Sequence, residues 1–185
     1  MAGIICIETE WKITTKAARR TLNTEPLMRY MGEMYNVPCI YRKVATRSEL
    51  TYYLKQFQKK EYDRFNVLYF NFHGDKNCIC LEGEKEELSL DKLADLGNDV
   101  FRDRYVHFSS CRTLLGSDDI LFAFKERTGA RYISGYTKSV KTDLSAIHDI
   151  SLLSNFLFSK RPSTVFKKME KLYKGVEEEL GFRYI

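Results

Sequence analysis

A chain of 185 residues, 44% apolar and 30% charged, can bury one substantial core and is too apolar to remain disordered. Its net charge of +5 is too mild to mark a nucleic-acid binder, and no apolar run approaches the roughly 20 residues that span a bilayer. The start, MAGIICIETEW, has no basic leader, and five cysteines without scaffold-like spacing suit a reducing compartment, so a cytoplasmic protein with no membrane partner is expected.

Short apolar runs alternate with helical patterns along the chain. Residues 3–9 (GIICIET) predict a buried strand, and residues 25–35 a helix with Leu27, Tyr30, Met31 and Met34 spaced for one face. Residues 38–44 (PCIYRKV) predict a more exposed strand, and 47–60 a helix carrying Leu50, Tyr53, Leu54 and Phe57. The third strand is 66–72 (NVLYFNF), followed by a short hairpin around 77–81 (NCICL) and a short helix over 88–96. Residues 105–110 (YVHFSS) give the fourth strand, 118–127 a helix stopped at Thr128-Gly129, and 131–136 (RYISGY) the fifth strand. Two helices, 143–158 and 163–180, close the chain around the breaker Arg161-Pro162.

Strands alternating with helices imply a single α/β domain, a three-layer sandwich with a mainly parallel sheet. Right-handed crossovers place every carboxyl end on one rim, where ligand sites of open α/β sheets form. That rim collects Glu8, Thr9 and Glu10, then His73-Gly74, then Ser109-Ser110-Cys111, then Tyr136-Thr137. An imidazole and a thiol emerging from neighbouring strands are the equipment of a thiol nucleophile with its proton acceptor. Cys111 would attack, His73 would take the thiol proton and protonate the leaving amine, and the amides of Gly74 and Cys111 could hold an oxyanion. Gly74, without a Cβ, lets backbone approach closely. No glycine-rich phosphate loop follows the first strand, which argues against a nucleotide enzyme.

FNFHG, ending at Gly74, and VHFSSCRTL, beginning at Val106, resemble the His and Cys motifs of the caspase-fold cysteine proteases, closest to the CHAT and separase style. The likeness runs over residues 3–158 in element order, with only the two motifs specific. It implies a strand order 2-1-3-4-5, a His73/Cys111 dyad and endopeptidase activity on a protein or peptide substrate, as in an effector of a bacterial stress or defence pathway. It also implies a carboxylate receiving a basic side chain at the scissile position. Asp143 is the nearest match for that role, with Glu8, Glu10 and Tyr136 as further candidate pocket residues. Lys12 and Arg112 are the nearest cations for the opposite, Asp-selecting arrangement.

The chain departs from the family at several places. The caspase pentapeptide gives way to Ser109-Ser110-Cys111-Arg112-Thr113. Tyr136 stands where CHAT and separase proteins carry a tryptophan, and the lone Trp11 sits elsewhere.

Plainer readings stand beside these. Cys6 and Cys39 read as small core hydrophobes, His107 and His148 as ordinary fold residues, and Asp143 equally as a cap of the next helix. Cys78-x-Cys80 with His73 and Cys111 matches no common zinc spacing, and no metal or cofactor is expected. The final helix, with Val165, Met169, Leu172, Val176 and Leu180 on one face, carries Lys167, Lys168, Lys171 and Lys174 around it. A separately encoded regulator is expected from the lack of a sensor domain. The reading from the other class is a catalytically silent caspase-fold module for signalling or protein interaction, with a flavodoxin-like ligand binder third.

Overall fold

The first strand, β1 (Ile4–Thr9), explains the architecture, because its alternate residues enter two different cores. Ile4 and Cys6 pack with Met28 and Met31 of α1 (Glu25–Tyr35), Leu152 and Phe156 of α5 (Thr142–Phe158), and Met169 of α6 (Val165–Leu180). Ile5 and Ile7 pack with Leu50 and Leu54 of α2 (Arg47–Gln56), Leu93 of α3 (Leu90–Gly97), and Leu121 and Phe124 of α4 (Asp118–Thr128). A strand covered on both faces reads as an unbroken apolar run. In this computed structural model the described residues are 2–11 and 23–185, position 98 by its backbone alone; Lys12 lies outside them.

The main sheet is mixed but mostly parallel. With β2 (Cys39–Val44), β3 (Val67–Asn71), β7 (Tyr105–Phe108), β8 (Tyr132–Tyr136) and β9 (Phe182–Tyr184), its order is β2-β1-β3-β7-β8-β9. The first five are parallel, and counted among themselves in chain order they run 2-1-3-4-5. The strand β9, which the sequence does not announce, pairs antiparallel with β8. Gly181 makes this possible: at φ 62 it ends α6 and turns the chain back along the sheet. A second sheet, β4-β5-β6, is formed by His73–Asp75, Cys78–Cys80 and Leu88–Ser89.

Several predicted boundaries shift. The helix expected over 47–60 stops at Gln56, and 88–96 begins as a strand before its helix. In α1 the buried methionines are Met28 and Met31, while Tyr30 and Met34 are exposed, so the inward face is turned by about one position. Leu172 is likewise exposed, and one residue further on α6 is interrupted at Tyr173 (φ −127).

What matters for function is the adjacency of β3 and β7. Phe70 is in register with Phe108, and the Ser109 amide donates to the Phe70 carbonyl at 2.8 Å. The segments leaving these two carboxyl ends are the ones that carry His73 and Cys111.

Candidate active site

His73 and Cys111 line one cavity of about 410 Å3 at the carboxyl rim of the main sheet. Trp11, Leu27, Tyr69, Asn71, Ser109 and Val140 contribute to its walls. Its size falls within the ordinary range of small-ligand or side-chain pockets.

Cys111 is half-buried on the turn that follows β7. Arg112, next along, sits at φ 57, a left-handed conformation that costs a non-glycine residue about 1–2 kcal/mol. The surrounding bonds hold it there. The Arg112 amide donates to the Lys138 carbonyl at 3.1 Å, Leu114 to the Tyr136 carbonyl at 3.1 Å, and Asn77 to the Thr113 carbonyl at 3.2 Å. The Val140 amide donates to Cys111 Sγ at 3.3 Å. Among the described residues no protein acceptor takes the Cys111 amide.

His73 opens β4 and is exposed. Trp11 meets it edge-to-face, with ring centroids 4.5 Å apart at 83°. In this arrangement Cys111 Sγ is engaged by Val140, and no hydrogen bond joins it to His73. Gly74 explains how the two segments come together. A Cβ there would stand 2.3 Å from Thr113 Oγ1 and 2.6 Å from the Cys111 carbonyl oxygen, so only glycine fits. Across the same seam Arg112 Nε lies 3.4 Å from Asp75, a half-exposed pair of little energetic weight.

The expected pocket residues require correction. Glu8 is fully buried and its carboxylate is saturated. It accepts from Trp11 Nε1 at 2.8 Å, from the Thr24 hydroxyl at 2.7 Å and amide at 3.1 Å, from Asn71 Nδ2 at 3.0 Å, and from the Tyr41 hydroxyl. It therefore builds the wall of the cavity from behind and has no free oxygen for a substrate. Burial, followed by the hydrogen bond to Glu8, pushes the Tyr41 phenol well above its ordinary pKa. Tyr136 is also sealed, bonded to His148 and Asp149. Glu10 faces Lys43 at 3.8 Å, and Asp143 lies exposed in the first turn of α5, where it complements the helix dipole; neither lines the cavity.

Beneath the cavity lies a polar cluster that sequence reasoning missed. Asp149 is fully buried and accepts from the Tyr69 hydroxyl at 2.7 Å, from the Ser109 hydroxyl at 2.7 Å and from Tyr136. His107 Nε2 lies 2.8 Å from Asp149 Oδ1, close enough for an ion pair though not aligned as a hydrogen bond. His107 Nδ1 lies 2.7 Å from the Ser134 hydroxyl. Burial alone would raise the Asp149 pKa; the charge of His107, aided by contacts with both histidines, outweighs it and holds the carboxyl far below the usual range. Burial would lower His148, but the carboxylates of Asp149 and Glu177 reverse the sign and raise it. Tyr69 and Ser109 connect this cluster to the cavity wall. The available signal was His148-Asp149, two titratable residues in the middle of an apolar helix.

Three other cysteines have thiols held in the protonated form by their surroundings. Burial pushes the Cys6 thiol well up, Cys39 to about 11, and Cys78 to about 12 with help from Glu87.

Residues 2–184 match a family described as a family of unknown function, DUF6642. The chain belongs to the DUF6642 family. No curated protein matches it. In this DUF6642 member, no helix among the described residues is long and apolar enough to cross a membrane.

Proposed function

We propose that this DUF6642 chain is a caspase-fold cysteine endopeptidase of a reducing, cytoplasmic compartment, acting on protein or peptide substrates through a Cys111/His73 dyad. One observation carries the reading: a half-buried thiol and an exposed imidazole line one cavity at the carboxyl ends of adjacent parallel strands. The strand order and the free state of all five cysteines agree with it.

In this scheme His73 removes the Cys111 proton, and the thiolate, with the Val140 amide beside it, adds to the scissile carbonyl. The Cys111 amide, with Gly74, donates to the resulting oxyanion. His73 then returns its proton to the departing amine as the C–N bond breaks, leaving an acyl-enzyme. Water, deprotonated by His73, releases the acid and regenerates the thiol. Selection of a basic side chain by Asp143, Glu8 or Glu10 is not part of the proposal, because none of them lines the cavity.

The alternative, a silent module of the same fold, draws on the absence of a hydrogen bond between His73 and Cys111, whose sulfur is taken by Val140. One experiment separates the two. A peptide-based electrophile should alkylate Cys111 ahead of the other four cysteines, mapped by mass spectrometry, and His73→Ala should slow it by about tenfold to a thousandfold. Equal sluggishness of all five thiols, or a rate indifferent to His73→Ala, would establish the silent module instead.

A further inference from the structure

The small sheet β4-β5-β6 has an inner and an outer face, and the outer one gathers metal-ligating side chains. Ile79 and Leu88, paired in register and fully buried, belong to the core with Gly74 opposite Ile79. Alternation along β5 therefore puts Cys78 and Cys80 together on the other face. Their register partners on β4 are Asp75 and His73, and Ser89 on β6 pairs with Cys78. Glu87, one residue before Leu88, comes opposite Cys80 by the same alternation.

The side chains converge as this register requires. One donor atom each from Cys78, Cys80 and Glu87 lies within 4.8 Å of the other two, and Cys78 Sγ donates to Glu87 Oε2 at 3.3 Å. We propose that this face binds a thiophilic divalent cation of the zinc class through Cys78, Cys80 and Glu87. Zinc–sulfur bonds of about 2.3 Å in a tetrahedron separate two sulfurs by about 3.8 Å, so the observed grouping needs only a small contraction to close on an ion. Two thiolates exclude calcium and magnesium, which take oxygen ligands. Three protein donors leave the fourth position of a tetrahedron for water or a further ligand. Cys80 is half-buried and Glu87 exposed, so an ion can enter from solvent while Cys78 anchors the buried end.

The hairpin that would hold the ion also holds the Cys111 turn. The Thr113 hydroxyl donates to the Cys78 carbonyl at 3.1 Å, and the Asn77 amide donates to the Thr113 carbonyl. Loading the site should therefore stiffen that turn and raise the unfolding temperature. Binding releases the two thiol protons to solvent, so affinity should fall as pH falls.

The test is a titration of the reduced, metal-free full chain with Co2+, read by thiolate-to-cobalt charge-transfer absorption and followed by displacement with Zn2+. The expected result is saturation at one equivalent, displacement by Zn2+, a higher melting temperature with Zn2+, and an unchanged spectrum in Cys111→Ser. Cys78→Ser and Cys80→Ser should abolish the band, and Glu87→Gln, at an exposed position, should weaken binding by about tenfold or more without touching the fold. No band in the folded wild type, a band that survives Cys80→Ser, or an affinity indifferent to Glu87→Gln would overturn the assignment. Loss of the band in Cys111→Ser would also overturn it, by moving the ion to the cavity.

Discussion

Gly74 and Cys111 are in contact through their backbones: a Cβ on Gly74 would stand 2.6 Å from the Cys111 carbonyl oxygen. The obstruction is main chain, which cannot swing aside as a long side chain would. Gly74→Ala should force the His73 and Cys111 segments apart at a stability cost of about 1–3 kcal/mol, typical of overpacking. The functional loss should be larger than the stability loss. We expect Cys111 alkylation to slow more than about tenfold at a temperature where circular dichroism shows the variant folded. A variant that keeps the parental alkylation rate would show that the contact does not set the dyad geometry.

Glu8 offers a second prediction. Its two oxygens gather donors from Trp11, Thr24, Tyr41 and Asn71 into one buried knot. Each donor left without an acceptor costs about 1–3 kcal/mol, so Glu8→Ala should be strongly destabilised and Glu8→Gln, which keeps one acceptor oxygen, less so. Trp11 is the single tryptophan of the chain and donates to Glu8, so its fluorescence reports on the knot directly. The expected outcome is an emission change in Glu8→Gln before any unfolding, accompanied by an earlier denaturant midpoint. A Glu8→Gln protein with parental emission and midpoint would mean that the knot contributes nothing.

How far the sequence discloses this molecule depends on the kind of signal. The runs around Ile5, Leu68, Val106 and Ile133 are mainly apolar because both faces of each strand are covered, so the parallel sheet and its rim are readable from pattern alone. His73 and Cys111 are readable because each ends such a run. Glu8 misleads for a physical reason. A carboxylate at a strand end looks like a ligand group, and only the return of the chain at Thr24 and Asn71 reveals that it is consumed internally. The Asp149 cluster joins residues from β3, β7, β8 and α5, and no local pattern encodes a meeting of that range. The strand β9 is too short to carry a period of its own and forms because β8 offers an open edge.

That buried cluster predicts a pH dependence of stability. The folded His148 pKa is raised, so its contribution is fully present below the unfolded value of about 6.5 and is lost as pH rises through the folded value. Asp149 is depressed, so its contribution is present above about 3.9 and is lost only as pH falls toward its far lower folded value. The melting temperature should therefore be highest from about pH 4 to 6.5 and decline on the alkaline side. In His148→Gln that alkaline decline should flatten. Asp149→Ala, which strands two histidines and three hydroxyls, should lose about 3–5 kcal/mol. An alkaline decline identical in His148→Gln and the parent would assign it to other groups.

The last prediction concerns what enters the cavity. Among the described residues its walls come from Trp11, Pro26, Leu27, Phe72, Val140 and Ala146, with neutral polar groups from Asn23, Asn71, Ser109 and Ser145. Among the described residues, no carboxylate and no lysine or arginine stands in that lining. Bringing a charged side chain into such a place removes its water without supplying a partner, at a cost of several kcal/mol, whereas an apolar or amide side chain loses little. Substrates with Leu, Phe, Met or Asn at the cleavage position should therefore be cut at least about tenfold faster than those with Arg, Lys or Asp, each tenfold corresponding to about 1.4 kcal/mol of transition-state binding. Asp143→Ala should leave this order unchanged, since Asp143 stands outside the walls on the first turn of α5. A fluorogenic peptide panel run on the parent and on Asp143→Ala decides the matter. Fast cleavage after Arg that collapses in Asp143→Ala would restore Asp143 as the selecting residue and refute the neutral pocket.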